Sequence, residues 1–243
     1  MRKEAKHHMM GTSYARPCAA TGCSRTTRSI YGRYCERCHQ RAWRHGHPEQ
    51  TPVRKPEVEK YRKRIKRLLR RGNLEKIEQH LRAVAARIED AARSPEAVAA
   101  PMSWRTGQPW GPNRWKQKAV DEILRVLGET DAVESGITVA AVFLLRDREH
   151  RRFADDRAFD FELVRLWRSQ TRLAFGSFWN QKTDKVTAYY KPLRPRVVEE
   201  IEPYLTTAYA RFAGYVIGAF QKHLARQAAV RTSLDEGFAE LQA

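Results

Sequence analysis

The chain has 243 residues, 42% of them apolar and 10% aromatic, and a formal charge of +18. That is enough length and apolar content for a buried core, which excludes a globally disordered polypeptide. The longest apolar run, Ile137 to Leu145, is about half of what spans a bilayer, which argues against a membrane-spanning protein.

The charge is unevenly placed. Residues 1–71 hold 20 Lys and Arg against 5 Asp and Glu, whereas residues 72–243 hold 26 against 23. A cationic first third attracts polyanions, nucleic acid above all. The basic residues lie among cysteines, not beside the bulky apolar face that a membrane-surface helix needs. Behind the charges of MRKEAKHHMM no apolar segment follows, so the expected location is cytoplasmic. In a reducing compartment, clustered cysteines hold metal more often than they form disulfides.

Residues 1–17 are polar and basic without periodicity and predict a flexible arm. Residues 18–48 carry all four cysteines: Cys18 and Cys23 as C-x4-C, eleven intervening residues, then Cys35 and Cys38 as C-x2-C. Two short ligand pairs joined by a loop suit tetrahedral Zn²⁺. Between them, Ser24 to Tyr34 has the length of a short β-hairpin. Cys35 to His45 reads as one helix, with Gly46 at its C-terminal stop and Pro48 beyond. A second ligand pair in the first turn of a helix is the zinc-ribbon or treble-clef arrangement. Two other readings remain open. Cys35-Glu-Arg-Cys38-His39 also matches the haem-attachment pattern, and the thiols could pair as a disulfide or redox dithiol. Four thiolates would close a zinc coordination sphere, so catalysis at the metal is not expected.

The string G-x-Y-C-x2-C-x2-R-x2-R-H-G-x-P resembles small zinc modules of phage and mobile-element proteins, which often read G-L-C-x2-H-x2-R-x2-R-H-G-D-P and sometimes precede an HNH nuclease. The matching positions are Cys18, Cys23, Gly32, Cys35, Arg41, Arg44, His45, Gly46 and Pro48. Cys38 stands where that family usually has histidine, which leaves His39 as an alternative ligand. The resemblance covers about 30 residues and implies zinc and DNA contact. It leaves the chemistry of the remainder unassigned.

Arg25, Arg28, Arg33, Arg37, Arg41 and Arg44 surround the expected metal. Arginine makes bidentate contacts to phosphate and guanine, so these six are candidate nucleic-acid contacts. His45 and His47 read as surface or phosphate-contacting residues. Residues 48–55 read as a proline-containing linker.

Residues 56–93 predict a basic helical hairpin. Pro56 opens the first helix, with Val58, Tyr61, Ile65, Leu68 and Leu69 on its apolar stripe. Lys60, Arg62, Lys63, Arg64, Lys66, Arg67, Arg70 and Arg71 form the opposite, cationic face, a second candidate nucleic-acid surface. The second helix carries Leu74, Ile77, Leu81, Val84 and Ile88 at heptad spacing. Residues 94–113, with four prolines and Trp104 and Trp110, predict a linker.

Residues 114–243 predict a helical domain. Arg114 to Leu127 is amphipathic, Asp131 to about Arg148 is a buried core helix, and Asp155 to Phe175 is a further helix. Residues 176–193 have the character of a small β-hairpin, and Pro195 begins a helix or helix pair reaching Gln227. The fold class expected is therefore mainly α, with an N-terminal zinc module.

For catalysis, Asp155, Asp156, Asp160 and Glu162 form the densest acidic cluster. Paired carboxylates can hold Mg²⁺, but Asp at a helix start ordinarily caps it. No P-loop, GxSxG or HExxH is present, and no HNH pattern follows residue 48. The leading expectation is a non-enzymatic, zinc-stabilised nucleic-acid-binding protein of a phage, mobile-element or bacterial defence context, with DNA favoured over RNA. Its C-terminal helices would dock a partner or self-associate. The alternatives are a metal-dependent nuclease with its site in residues 114–230, or an adaptor recruiting a nucleic-acid-processing complex.

Overall fold

The structure, a computed structural model, describes residues 15–70, 74–99, 113–171, 176–180, 184–189 and 192–242. Residues 1–14 of the expected flexible arm, most of the proline- and tryptophan-containing linker, and Arg71 lie outside the described residues. The chain is mainly helical, with α1 (Glu36–His45), α2 (Lys55–Leu69), α3 (Leu74–Arg93), the single turn α4 (Pro95–Val98), α5 (Arg114–Glu129), α6 (Ala132–Arg148), α7 (Asp156–Arg168) and α8 (Pro195–Gln242). Two short strands, β1 (Gly176–Asn180) and β2 (Lys185–Tyr189), pair antiparallel with Gly176 opposite Tyr189.

The core is organised around α6. Its run Ser135–Val142 is buried on every side, as are Leu144 and Leu145. A helix apolar all round must be covered all round, and α2, α3, α7 and α8 all pack on it. The helices α2 and α3 therefore make their main contacts with α6, α5 and α8 rather than with each other. Gly136 admits the closest approach: a Cβ there would sit 2.5 Å from Leu81 Cδ2 and 3.2 Å from Tyr209 Cε1. Two polar groups enclosed here are paired, Trp167 Nε1 donating to Ser135 Oγ at 2.6 Å and Thr138 Oγ1 to Glu134 O at 2.9 Å, whereas the Tyr209 hydroxyl is buried without a partner. One continuous cluster of buried side chains runs from Val53 through α2, α3, α5, α6 and α7 to Phe220 of α8.

Capping explains most helix starts. Asn113 accepts the Trp115 and Lys116 amides, Asp131 those of Val133 and Glu134, and Asp155 that of Ala158. The helix expected to run to Phe175 ends at Arg168, with Ser169 as its cap. The final helix is one 48-residue element, continuous through Pro203. At 1.5 Å per residue it is about 70 Å long. Among the residues whose burial is described, the buried ones stop at Phe220, and Ala225 to Ser233 are all exposed.

Candidate metal centre and cationic surface

Between the two cysteine pairs the expected β-hairpin within Ser24–Tyr34 is not formed. The backbone pairs one register earlier: Cys18 N–H donates to Arg25 O at 2.8 Å, Thr27 N–H to Arg16 O at 2.8 Å, and Pro17 bridges Thr26. This pairing closes the Cys18–Cys23 loop, and Gly22, at φ +70°, supplies the left-handed turn before Cys23. The buried Thr27 hydroxyl donates to Ser29 O and accepts the Arg16 amide, which satisfies the chain where a second strand would otherwise have run. Cys35 caps α1, so Cys38 follows in its first turn.

The four sulfurs converge, all within 4.8 Å of one another. Cys23 Sγ lies 3.8 Å from Cys35 Sγ and 3.7 Å from Cys38 Sγ. A disulfide needs sulfurs about 2.0 Å apart, and all four thiols are free. A tetrahedron with metal–sulfur bonds of about 2.3 Å has sulfur–sulfur edges of about 3.8 Å, so the cluster fits a metal ion. His39 is exposed on α1 and is not among the clustered ligand atoms.

Electrostatics favour a cation at this point. The Cys35 N–H donates to Cys18 Sγ at 3.3 Å, and this bond chiefly draws the Cys18 thiol down to about 7. Burial, followed by its three sulfur neighbours, pushes Cys38 up to about 12. Four packed thiols cannot all ionise beside one another without a positive charge among them, and metal binding supplies it.

The module is tied to the helical domain through the end of α1. Gly46 ends that helix at φ +81°, as its place in the sequence predicts, and a Cβ there would lie 2.6 Å from Arg157 O of α7. His45 Nδ1 donates to Glu162 Oε1 at 2.6 Å. The Glu162 side chain is fully buried and also accepts the Val53 amide at 3.1 Å and Arg165 Nε at 3.0 Å. Residues 48–55, expected as a linker, are held by side chains from beyond α6. Arg152 donates to Thr51 O, Pro52 O and the Glu57 carboxylate, while buried Gln50 bonds Arg152 O and the Ala154 amide. None of His45, Gln50, Arg152 or Glu162 shows this structural role in the sequence alone. The signal available was a glutamate set among Phe159, Phe161, Leu163 and Leu166.

The candidate nucleic-acid contacts fall into two groups. Arg25, Arg33, Arg37 and Arg44 are exposed on the module, and Lys60, Lys63, Arg64, Arg67 and Arg70 are exposed on or just beyond α2. Others have intramolecular partners. Arg28 pairs with Glu36 at 2.7 Å, Arg41 donates to Pro48 O, and Arg62 and Lys66 both pair with Glu134 at the start of α6. Arg25, Arg28 and Arg37 line a depression of about 380 Å³ beside Cys35. Of the tryptophans flanking the linker, Trp115 is described; it packs against the core beneath the guanidinium groups of Arg114 and Arg194.

The acidic residues of residues 155–162 have separate surroundings. Asp155 caps α7, Asp156 pairs with Arg146, and Glu162 holds His45. Asp160 is half-buried, and burial, with Glu202 adding repulsion, raises its carboxyl to about 6.

The fold and site define a helical domain carrying a four-cysteine clip with the geometry of a metal site. No protein-family model, curated protein or solved structure matches the chain.

Proposed function

We propose that the chain is a zinc-stabilised nucleic-acid-binding protein in which Cys18, Cys23, Cys35 and Cys38 hold Zn²⁺. The carrying observation is the clip itself: four thiols at the spacing of a tetrahedral all-sulfur site, ringed by exposed arginines. Zinc has no open position here and acts as a fastener, as in closed structural sites. Its role is to fix the loop that presents Arg25 and Arg33 and the helix that presents Arg37 and Arg44. The cationic face of α2 supplies a second set of phosphate contacts, and DNA is the favoured polyanion. Arg62 and Lys66, committed to Glu134, serve the fold. Arg28 stays in the contact set, because an exposed ion pair is worth little and exchanges for phosphate. The helical domain anchors the surface and offers its outer helices to a partner or a second copy.

The test is elemental analysis and absorbance of the protein as purified. One zinc per chain, with nucleic acid that co-purifies at low salt and is stripped at high salt, is expected. Zinc-free folded protein that carries no nucleic acid and binds none when it is added would overturn the reading.

A further inference from the structure

The cationic face of α2 does not end at α2. Arg64 and Arg67 face the distal part of α8 across a cleft of about 610 Å³, whose α8 wall includes Tyr215, Phe220, Lys222, His223 and Arg226. A second cleft, of about 310 Å³, lies between α3 and α8 and is lined by Lys76, Ile77, His80, Arg211, Phe212 and Tyr215. Neither lining contains a carboxylate. The contrast is the cleft between α2 and the start of α6, where Glu59, Glu129, Asp131 and Glu134 offset Lys55 and Arg62.

Tyr215 belongs to both cationic clefts and stands between them, 53% exposed. At 100° per residue, Arg211, Tyr215, Lys222 and Arg226 fall within about 60° of one another on α8, and at 1.5 Å per residue they extend over about 22 Å. Among the described residues, Arg67, Arg211, Lys222 and Arg226 make no ion pair. Arg64 lies 5.8 Å from the Phe220 ring centroid and 5.7 Å from that of Tyr61, so its charge is held at the cleft by aromatic faces, not by an acid.

The geometry points to a single-stranded nucleic-acid site: a strand runs along α8, its phosphates meet the cations of the two clefts, and an unpaired base stacks on Tyr215. Cations tracking a backbone, with an aromatic platform between them, are the two components of sequence-tolerant single-strand binding. A duplex keeps its base faces inside its own stack and leaves the phenol nothing to stack on. An acidic peptide would use the cations and not the ring. This site rests on the nucleic-acid reading and deepens it. It names the strand form bound along α8, beside whatever duplex the zinc module meets, and adds Arg211, Tyr215, Lys222 and Arg226 to the binding residues.

The experiment is fluorescence anisotropy of the full, zinc-loaded chain with labelled dT15 and with a labelled 20-base-pair duplex, and with polyglutamate as competitor. The altered residues are exposed, so folding is preserved. Tyr215→Ala is expected to weaken dT15 binding about tenfold, the scale of one lost base stack, and to leave duplex binding unchanged. Tyr215→Trp is expected to retain dT15. Arg67→Ala with Arg226→Ala should reduce the salt slope for dT15 by about 1.4, two phosphate contacts on a single strand. The inference is overturned if Tyr215→Ala binds dT15 normally, if it loses both probes equally, or if polyglutamate competes as well as unlabelled dT15. Wild-type protein that binds duplex alone overturns the groove and leaves the function standing. Wild-type protein that binds neither probe overturns both.

Discussion

Replacing Glu162 by alanine probes the joint between the clip and the helical domain. The side chain is fully buried and accepts from His45, the Val53 amide and Arg165. Alanine removes all three acceptor contacts at once. Val53 is 1% exposed, so its amide would be left buried without a partner, a cost of about 1–3 kcal/mol. Arg165 keeps Val53 O and partial solvent access, so its loss is smaller. Breaking one side of a buried charged network costs about 3–5 kcal/mol in all, a large share of the roughly 5–15 kcal/mol that holds a domain folded. The assay is urea unfolding followed by tryptophan fluorescence, since Trp167 sits fully buried on the same helix. The midpoint should fall by that amount divided by the slope, with the slope itself unchanged. Glu162→Gln keeps an acceptor for Val53 and should lose less, about 1–2 kcal/mol. A double-mutant cycle with His45→Ala should give a coupling of about 0.5–3 kcal/mol. Glu162→Ala within about 0.5 kcal/mol of wild type, the range of an ordinary surface change, would refute the reasoning.

Gly46→Ala should destabilise by at least about 1–2 kcal/mol, the left-handed cost, with the Arg157 backbone clash adding to it. Gly128→Ala, inside α5 with nothing within 4 Å, should instead stabilise by about 0.4–1 kcal/mol, both read from urea midpoints. Cys38→Ser should drop bound zinc well below one per chain and open residues 16–45 to proteolysis. The far-UV helical signal should change little, because the Val53–Phe220 core contains none of the cysteines. Asp160→Asn should raise the melting temperature at pH 8 and leave it unchanged at pH 4. The folded carboxyl titrates near 6, above its ordinary value, so the stability linked to its neutral form is complete in acid and lost as pH rises through 6. A melting curve that shifts equally at both pH values would contradict that origin.

How much of this was legible in the sequence depends on the range of the signal. The clustered thiols come from residues 18–38, where spacing alone limits the geometry. The buried helix α6 follows from an unbroken apolar run, and the end of α1 from Gly46. What escaped was set by distant partners. His45 and Glu162 are 117 positions apart, and each alone looks like a surface residue. The hairpin expected within Ser24–Tyr34 lost to a pairing with residues 16–18, upstream of the first cysteine. The stripes of α2 and α3 are real, but an apolar stripe does not say which helix covers it: α6 takes that of α2, and α5 and α6 share that of α3. Arg62 and Lys66 sit on a cationic face whose other described members reach solvent, and only the position of Glu134 separates them. The cationic line along α8 stayed hidden because its four residues are spread over 16 positions and acquire meaning only against α2 and α3.

The most direct measurement of the central claim is the affinity of the zinc-loaded protein for a short DNA duplex across 50 to 200 mM salt, repeated after zinc is chelated. If the clip orders an arginine surface that meets phosphates, log K falls linearly with log salt. Six phosphate contacts give a slope of about −5, and chelation weakens binding and flattens that slope. Binding that is absent at 50 mM salt, or equally strong and equally salt-dependent with and without zinc, would contradict the account.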